Sequence, residues 1–234
     1  MSHKLKDGAI FIADAHYPNH HSKDFINILE AIYQDKISAP QLFLMGDIFD
    51  LLVGNSPYLK KRFKKEIELI ENISNKVKVF YIEGNHDFNL KPLFKNVKII
   101  PIEKQPLILE YNNKKIALSH GDKYNSKLSY KIYTKFIRNP FIIKIIPQGY
   151  AKYKLKKMKS KKLCKKIDNF KDIVKKIVNN YTTDLIIEGH FHQGVRVGHY
   201  IALPSFACKK EYAIFNNFNI EFKTMEITLS SKCE

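Results

Sequence analysis

The chain has 234 residues, 44% of them hydrophobic, which suits one α/β domain with a full core and argues against wholesale disorder. Its formal net charge is +17, but residues 123–176 hold 18 Lys plus Arg and two acidic residues, so +16 sits in one segment of a nearly neutral body. No apolar run approaches the roughly 18 residues that span a bilayer, and the polar start runs straight into a strand-like stretch, so no signal peptide is expected.

Residues 9–13 (A-I-F-I-A) read as a strand that ends at Asp14-Ala15-His16. Apolar residues at three- and four-residue steps then predict a helix over 23–37. A second strand over 41–45 closes at Gly46-Asp47, with Asp50 three residues further on. A second helix is expected over 57–73, where Pro57 suits a first turn. The strand over 77–82 ends at Gly84-Asn85-His86-Asp87. Strands are expected over 97–100, 107–111 and 116–119, the last two joined by Asn112-Asn113 as a hairpin turn and followed by His120-Gly121-Asp122.

Further along, Tyr130, Tyr133, Phe136 and Ile137 keep helical spacing, with Lys131, Lys135 and Arg138 between them. Pro140 breaks that pattern, residues 141–146 are apolar but for one lysine, and a lysine run follows over 152–166. Residues 185–188 read as a strand ending at Gly189-His190-Phe191-His192, and more strands are expected over 195–203, 212–215 and 220–227. Alternating strands and helices predict an α/β fold of sheets covered by helices. One domain over 1–234 would carry a basic helical insert over 123–180. Cys164, Cys208 and Cys233 lie far apart without metal-ligand spacing and read as free thiols in a reducing compartment.

Each polar cluster alone is a weak signal, because Gly, Asn and Asp favour turns. All five occur in order, each behind a strand, the first four about 35 residues apart, as strand–helix units would place them. Asp14, His16, Asp47, Asn85, His120, His190 and His192 together offer two carboxylates, an amide oxygen and four imidazoles. That mixed set suits Mn²⁺, Fe²⁺ or Zn²⁺ better than Mg²⁺ or Ca²⁺. The alternation in D-x-H and H-x-H is expected to point both ligands to one side of a strand end.

These clusters resemble the signature of the calcineurin-like metallophosphoesterases, D-x-H, G-D, G-N-H-D, H-G and G-H-x-H. The resemblance implies a pair of sheets flanked by helices and two divalent metal ions, one held by Asp14, His16, Asp47 and His192. The other would be held by Asp47, Asn85, His120 and His190, with Asp47 bridging. Two such cations would lower the pKa of a water, orient it for in-line attack and neutralise charge at phosphorus. His86 is the candidate acid for the leaving oxygen, with Asp87 also placed in the catalytic set. Asp87 and Asp122 are expected to orient imidazoles, a turn-capping role being the alternative.

An insert between H-G-D and G-H-x-H that contains Phe136-Ile137-Arg138-Asn139-Pro140, then a basic helix, is similar to the UDP-2,3-diacylglucosamine pyrophosphohydrolases of lipid A synthesis. Gly46-Asp47-Ile48-Phe49-Asp50 fits their pattern too. Two departures stand out: His86 replaces the Arg of the best-known members, and Leu51 and Leu52 stand where those have a Trp. The resemblance implies cleavage to UMP and 2,3-diacylglucosamine 1-phosphate, with manganese, at the cytoplasmic face of the inner membrane. Asn85, Arg138, Tyr130 and Phe141 are then the candidate substrate contacts. Large apolar residues beside dense positive charge also suit an anionic lipid surface, while a helical cap packed on the body with solvated lysines explains the same residues. A phosphodiesterase acting on nucleic acid or a nucleotide, or a general phosphatase, is the rival reading. No obligate protein partner is implied.

Overall fold

The computed structural model of the chain describes residues 3–18, 21–123, 138, 148–159 and 162–225. The strands are β1 (His3–Lys4), β2 (Ala9–Ile12), β3 (Gln41–Leu44), β4 (Leu52–Val53), β5 (Lys78–Ile82), β6 (Asp87–Phe88) and β7 (Lys98–Ile100). After them come β8 (Leu107–Tyr111), β9 (Lys114–Ser119), β10 (Leu185–Glu188), β11 (Val195–Val197), β12 (Tyr200–Ala202), β13 (Glu211–Asn216) and β14 (Asn219–Thr224). The helices are α1 (Ser22–Tyr33), α2 (Pro57–Arg62), α3 (Lys64–Ser74), α4 (Gln148–Met158), α5 (Phe170–Val178) and α6 (Phe206–Lys209).

Two sheets of six strands each face one another, as the sequence resemblance implied. One runs β14-β13-β2-β3-β5-β7 and the other β1-β8-β9-β10-β12-β11. Alternation along β2 explains the layering. Ala9 and Phe11 turn into the space between the sheets, while Ile10 and Ile12 turn outward to the core beneath the helices. Phe11, Phe43 and Phe80 are register partners on β2, β3 and β5. Their rings stack at 4.7 Å per step, with interplanar angles of 10° and 9°. Burying each such ring contributes about 2–3 kcal/mol, so this ladder is a main reason the first sheet holds its register. On the outer face of the second sheet, Phe170, Val174 and Ile177 of α5 pack against Ala117, Ile186 and Tyr200.

Several expected elements change on folding. The helix expected over 57–73 breaks at Phe63, whose ring turns into the core against Tyr17 and Phe49. The strand expected over 195–203 is a hairpin, β11 and β12, folded about Gly198 at φ 60°. The three-thiol expectation is corrected: Cys164 and Cys208 form a disulfide with Cα atoms 5.5 Å apart. They are 44 residues apart in sequence, and only the return of the chain through α5, β10 and the β11–β12 hairpin brings them together. Tyr130, Phe141, most of the expected helical stretch over 129–146 and Cys233 lie outside the described residues. Within the insert, α4 buries Ala151 and Leu155 against the body and leaves Lys152, Tyr153, Lys156 and Lys157 exposed. No helix among the described residues is long and apolar enough to cross a membrane.

Candidate dinuclear metal centre

Each expected ligand sits just beyond the carboxyl end of a strand, and both sheets contribute. Asp14 and His16 follow β2, Asp47 follows β3, and Asn85 and His86 follow β5. From the second sheet, His120 follows β9, and His190 and His192 follow β10. Strand alternation is not what aims them, contrary to the expectation for D-x-H and H-x-H. The strands have already ended, and Asp14, His16, Asp47, His190 and His192 all lie in the left-handed region, with φ between 46° and 62°. Non-glycine residues rarely adopt that conformation, and its concentration at one spot marks a site where packing holds strained backbone.

The side chains converge in two groups. Asp14, His16 and His192 bring ligand atoms within 4.8 Å of one another, and so do Asp47, His120 and His190. His192 Nε2 lies 3.1 Å from Asp14 Oδ1, and His120 Nε2 lies 3.5 Å from Asp47 Oδ2 and 3.3 Å from Asn85 Oδ1. The rings of His16 and His192 meet at 5.5 Å, and those of His120 and His190 at 5.1 Å. All seven expected ligands therefore reach the same cleft.

The imidazoles are aimed from behind. Nδ1 of His120 faces the carbonyl of Met45 at 3.0 Å, Nδ1 of His192 that of Leu163 at 2.9 Å, and Nδ1 of His86 that of Asp50 at 2.8 Å. Nδ1 of His16 lies 3.3 Å from the Asp50 carboxylate. An Nδ1–H donated to such an acceptor leaves the Nε2 lone pair for a metal. Asp50 thus supports His86 through its carbonyl and sets its carboxylate beside His16. Its spacing in G-D-x-x-D was the available signal for it, whereas nothing local marks Gln105, whose Oε1 accepts the His120 N–H at 2.9 Å.

Electrostatics follow from this crowding. Burial works against charge on Asp47, yet His120, His86 and His16 hold its carboxyl well below the usual range. Burial opposes charge on His120 as well, but Asp47 raises it well above the ordinary imidazole value. His192 is raised against burial by Asp14. His190, buried beside His120, is lowered to about 4. The residues fit a pair of divalent cations. Two carboxylates are at most 3% exposed, and the buried Nε2 of His16 has no hydrogen-bond partner, which a cation in the cleft would supply.

Other expected residues are held by contacts within the protein. Asp87 is fully buried, and its carboxylate accepts from the N–H groups of Asp47, Ile48 and Gly84 and from the Tyr81 hydroxyl. Burial and the charge of Asp47 push it up to about 7 against the pull of Tyr81 and Gly84. Asp122 pairs with Arg138 at 3.7 Å, and its charge also favours protonation of His120 and His190. Arg138, expected to meet substrate, donates from Nη2 to the Gly84 carbonyl at 2.9 Å and covers the Phe88 ring at 5.6 Å.

The family model described as calcineurin-like phosphoesterase matches residues 9–194, a span that contains all seven candidate ligands. The chain belongs to the calcineurin-like phosphoesterase family. This metallophosphoesterase is 26% identical over 198 residues to the UDP-2,3-diacylglucosamine hydrolase of Photorhabdus laumondii, covering 79% of this chain and 81% of that protein. It is 28% identical over 200 residues to the protein of the same name from Wigglesworthia glossinidia brevipalpis, covering 78% of each. Among solved structures, a phosphoesterase from E. coli, Yfce, aligns over 93% of both chains at 15% identity, with a TM-score of 0.47. As a member of this family the metallophosphoesterase is a metal-dependent phosphoester hydrolase with a dinuclear site for divalent ions.

Proposed function

We propose that this enzyme hydrolyses the diphosphate of UDP-2,3-diacylglucosamine to UMP and 2,3-diacylglucosamine 1-phosphate, using Mn²⁺ at the inner face of the cytoplasmic membrane. The similarity to hydrolases named for that substrate across about four-fifths of each chain carries the reading. The basic insert supports it, since exposed lysines on α4 suit both an anionic lipid surface and a phosphorylated substrate.

The bound cations would supply positive charge to the phosphoryl oxygens and lower the pKa of the attacking water. Asp14, His16, Asp47 and His192 would hold one ion, and Asp47, Asn85, His120 and His190 the other. Water adds to phosphorus, one P–O bond of the anhydride breaks, and the two monophosphates depart. His86 presents Nε2 to the cleft, 3.9 Å from Asp47 Oδ2, while Nδ1 is held by the Asp50 carbonyl. In its doubly protonated form it donates from Nε2 to the leaving oxygen.

The test is UMP release from UDP-2,3-diacylglucosamine in mixed micelles with Mn²⁺, with Asp47→Ala as the blank. Release that is lost in the variant is expected. Hydrolysis of a nucleic-acid or generic phosphodiester, with no UMP release, would leave the metal chemistry standing and reject the lipid substrate.

A further inference from the structure

The Cys164–Cys208 disulfide joins two segments that both support the same half of the metal centre. On one side, Cys164 is the apex of a tight turn in which Leu163 O accepts the N–H of Lys165 at 3.1 Å. That same carbonyl accepts from His192 Nδ1 at 2.9 Å. The turn is gripped further by Gln193, which donates from Nε2 to Lys165 O and accepts the Ile167 N–H, each at 3.1 Å. On the other side, Cys208 lies in α6, whose start holds the backbone of Asp14. Ser205 Oγ donates to Asp14 O at 2.8 Å, Ala207 N donates to it at 3.2 Å, and Phe206 N donates to Ala13 O at 2.9 Å.

We propose that this disulfide is a positioning element for the Asp14/His16/His192 half of the centre, and that its reduction weakens metal binding there while sparing the Asp47/Asn85/His120/His190 half. The other half takes most of its supports from elsewhere, since Met45 O holds His120 and Asp87 holds the Asp47 loop, and it meets Asp14 where the His190 N–H donates to Asp14 Oδ2 at 2.9 Å. The inference does not depend on the identity of the substrate.

The bond is placed where it can be broken. Cys164 is exposed, and Lys165 and Lys209 flank the two cysteines in sequence, so positive charge favours the departing thiolate. A thiolate of a dithiol attacks Sγ of Cys164, and Cys208 leaves as the thiolate. The second thiol of the reductant then displaces Cys164, giving two protein thiols and the cyclic disulfide of the reductant. In a reducing compartment a disulfide of this kind is transient and serves as a redox sensor. With the cross-link gone, the turn that aims Leu163 O keeps the burial of Leu163 and its hydrogen bonds to His192 and Gln193 but loses its covalent tie to α6. Losing the acceptor behind a ligand imidazole typically costs about 10–100-fold in metal affinity.

The test titrates Mn²⁺ into metal-free protein by calorimetry and electron paramagnetic resonance. Three samples are compared: oxidised wild type, wild type reduced and freed of reductant under argon, and Cys164→Ser/Cys208→Ser. Two tight sites are expected in the first. In the other two, one site stays tight and one weakens by about 10–100-fold, and reductant has no further effect on the double variant. Because reduced wild type carries no substitution, a misfolded variant does not decide the outcome. Unchanged affinity at both sites on reduction would overturn the proposal. Equal weakening of both would overturn it too, as general loosening. Three titratable thiols in the non-reduced protein would remove its premise.

Discussion

The carboxylate of Asp87 accepts the main-chain N–H of Asp47 at 3.0 Å, while Asp47 Oδ1 accepts the N–H of His86 at 2.9 Å, so the loops after β3 and β5 grip each other through two aspartates. Ile48 N, Gly84 N and the Tyr81 hydroxyl also donate to Asp87, at 2.6, 2.9 and 2.7 Å. Asp87→Ala strands these buried donors, each of which costs about 1–3 kcal/mol when unsatisfied. A loss of about 3 kcal/mol or more in denaturant unfolding is expected, together with a fall in hydrolysis. A loss below about 1 kcal/mol would show that water replaces the carboxylate.

Gly84 sits where no side chain fits. A Cβ there would lie 2.3 Å from Asp47 Oδ1 and 2.5 Å from Asp47 N. Gly84→Ala must push the Asp47 carboxylate or its loop aside, and displacements of about 1 Å at such sites cost on the order of 100-fold in rate. Steady-state kcat/KM with saturating Mn²⁺ is the measurement, and near-wild-type values would mean that the loop relaxes without moving Asp47.

Arg138 and Asp122 form a buried pair, with side chains 9% and 5% exposed. Removing one partner leaves a buried charge uncompensated, so each single alanine variant should lose about 3 kcal/mol and the double variant less than the sum. A lysine at position 138 should not rescue, because an ammonium does not reproduce the planar fork over Phe88 that reaches Gly84 O. If Arg138 instead binds substrate, Arg138→Ala would raise KM and leave stability unchanged.

Metal loading should release protons. In the metal-free protein His120 and His192 are raised above their ordinary value by Asp47 and Asp14, so they hold protons more strongly than a free imidazole, and a cation must displace whatever protons they carry. The stability these two pairs give the metal-free fold is fully present below about pH 6.5 and lost as pH rises through their folded values. His190, lowered to about 4, has the opposite sign, costing stability as pH falls from about 6.5 toward 4. Calorimetry in buffers of different ionisation enthalpy should show release of up to about two protons per site pair near pH 7. A heat independent of the buffer would mean that the imidazoles are already neutral.

The candidate ligands of the metal centre could be picked out in the sequence because each lies within a few residues of a strand's end, close behind a short apolar run. The two sheets were legible for the same reason, since strands such as Ala9–Ile12 and Leu185–Glu188 are buried throughout and apolar but for Glu188. The break at Phe63 was not, because helical periodicity runs through it and only the pocket beside Tyr17 and Phe49 draws the ring inward. The supports behind the ligands were likewise a matter of tertiary structure. Leu163 O reaches His192 across 29 positions and Gln105 reaches His120 across 15, contacts made by groups with no local pattern to announce them. The left-handed backbone of the ligands and the meeting of Cys164 with Cys208 have the same origin. Local sequence determines which residues can bind a metal, because side-chain chemistry and strand ends are local properties. Which way those residues point is decided by contacts between distant segments, and those exist only once the two sheets have packed.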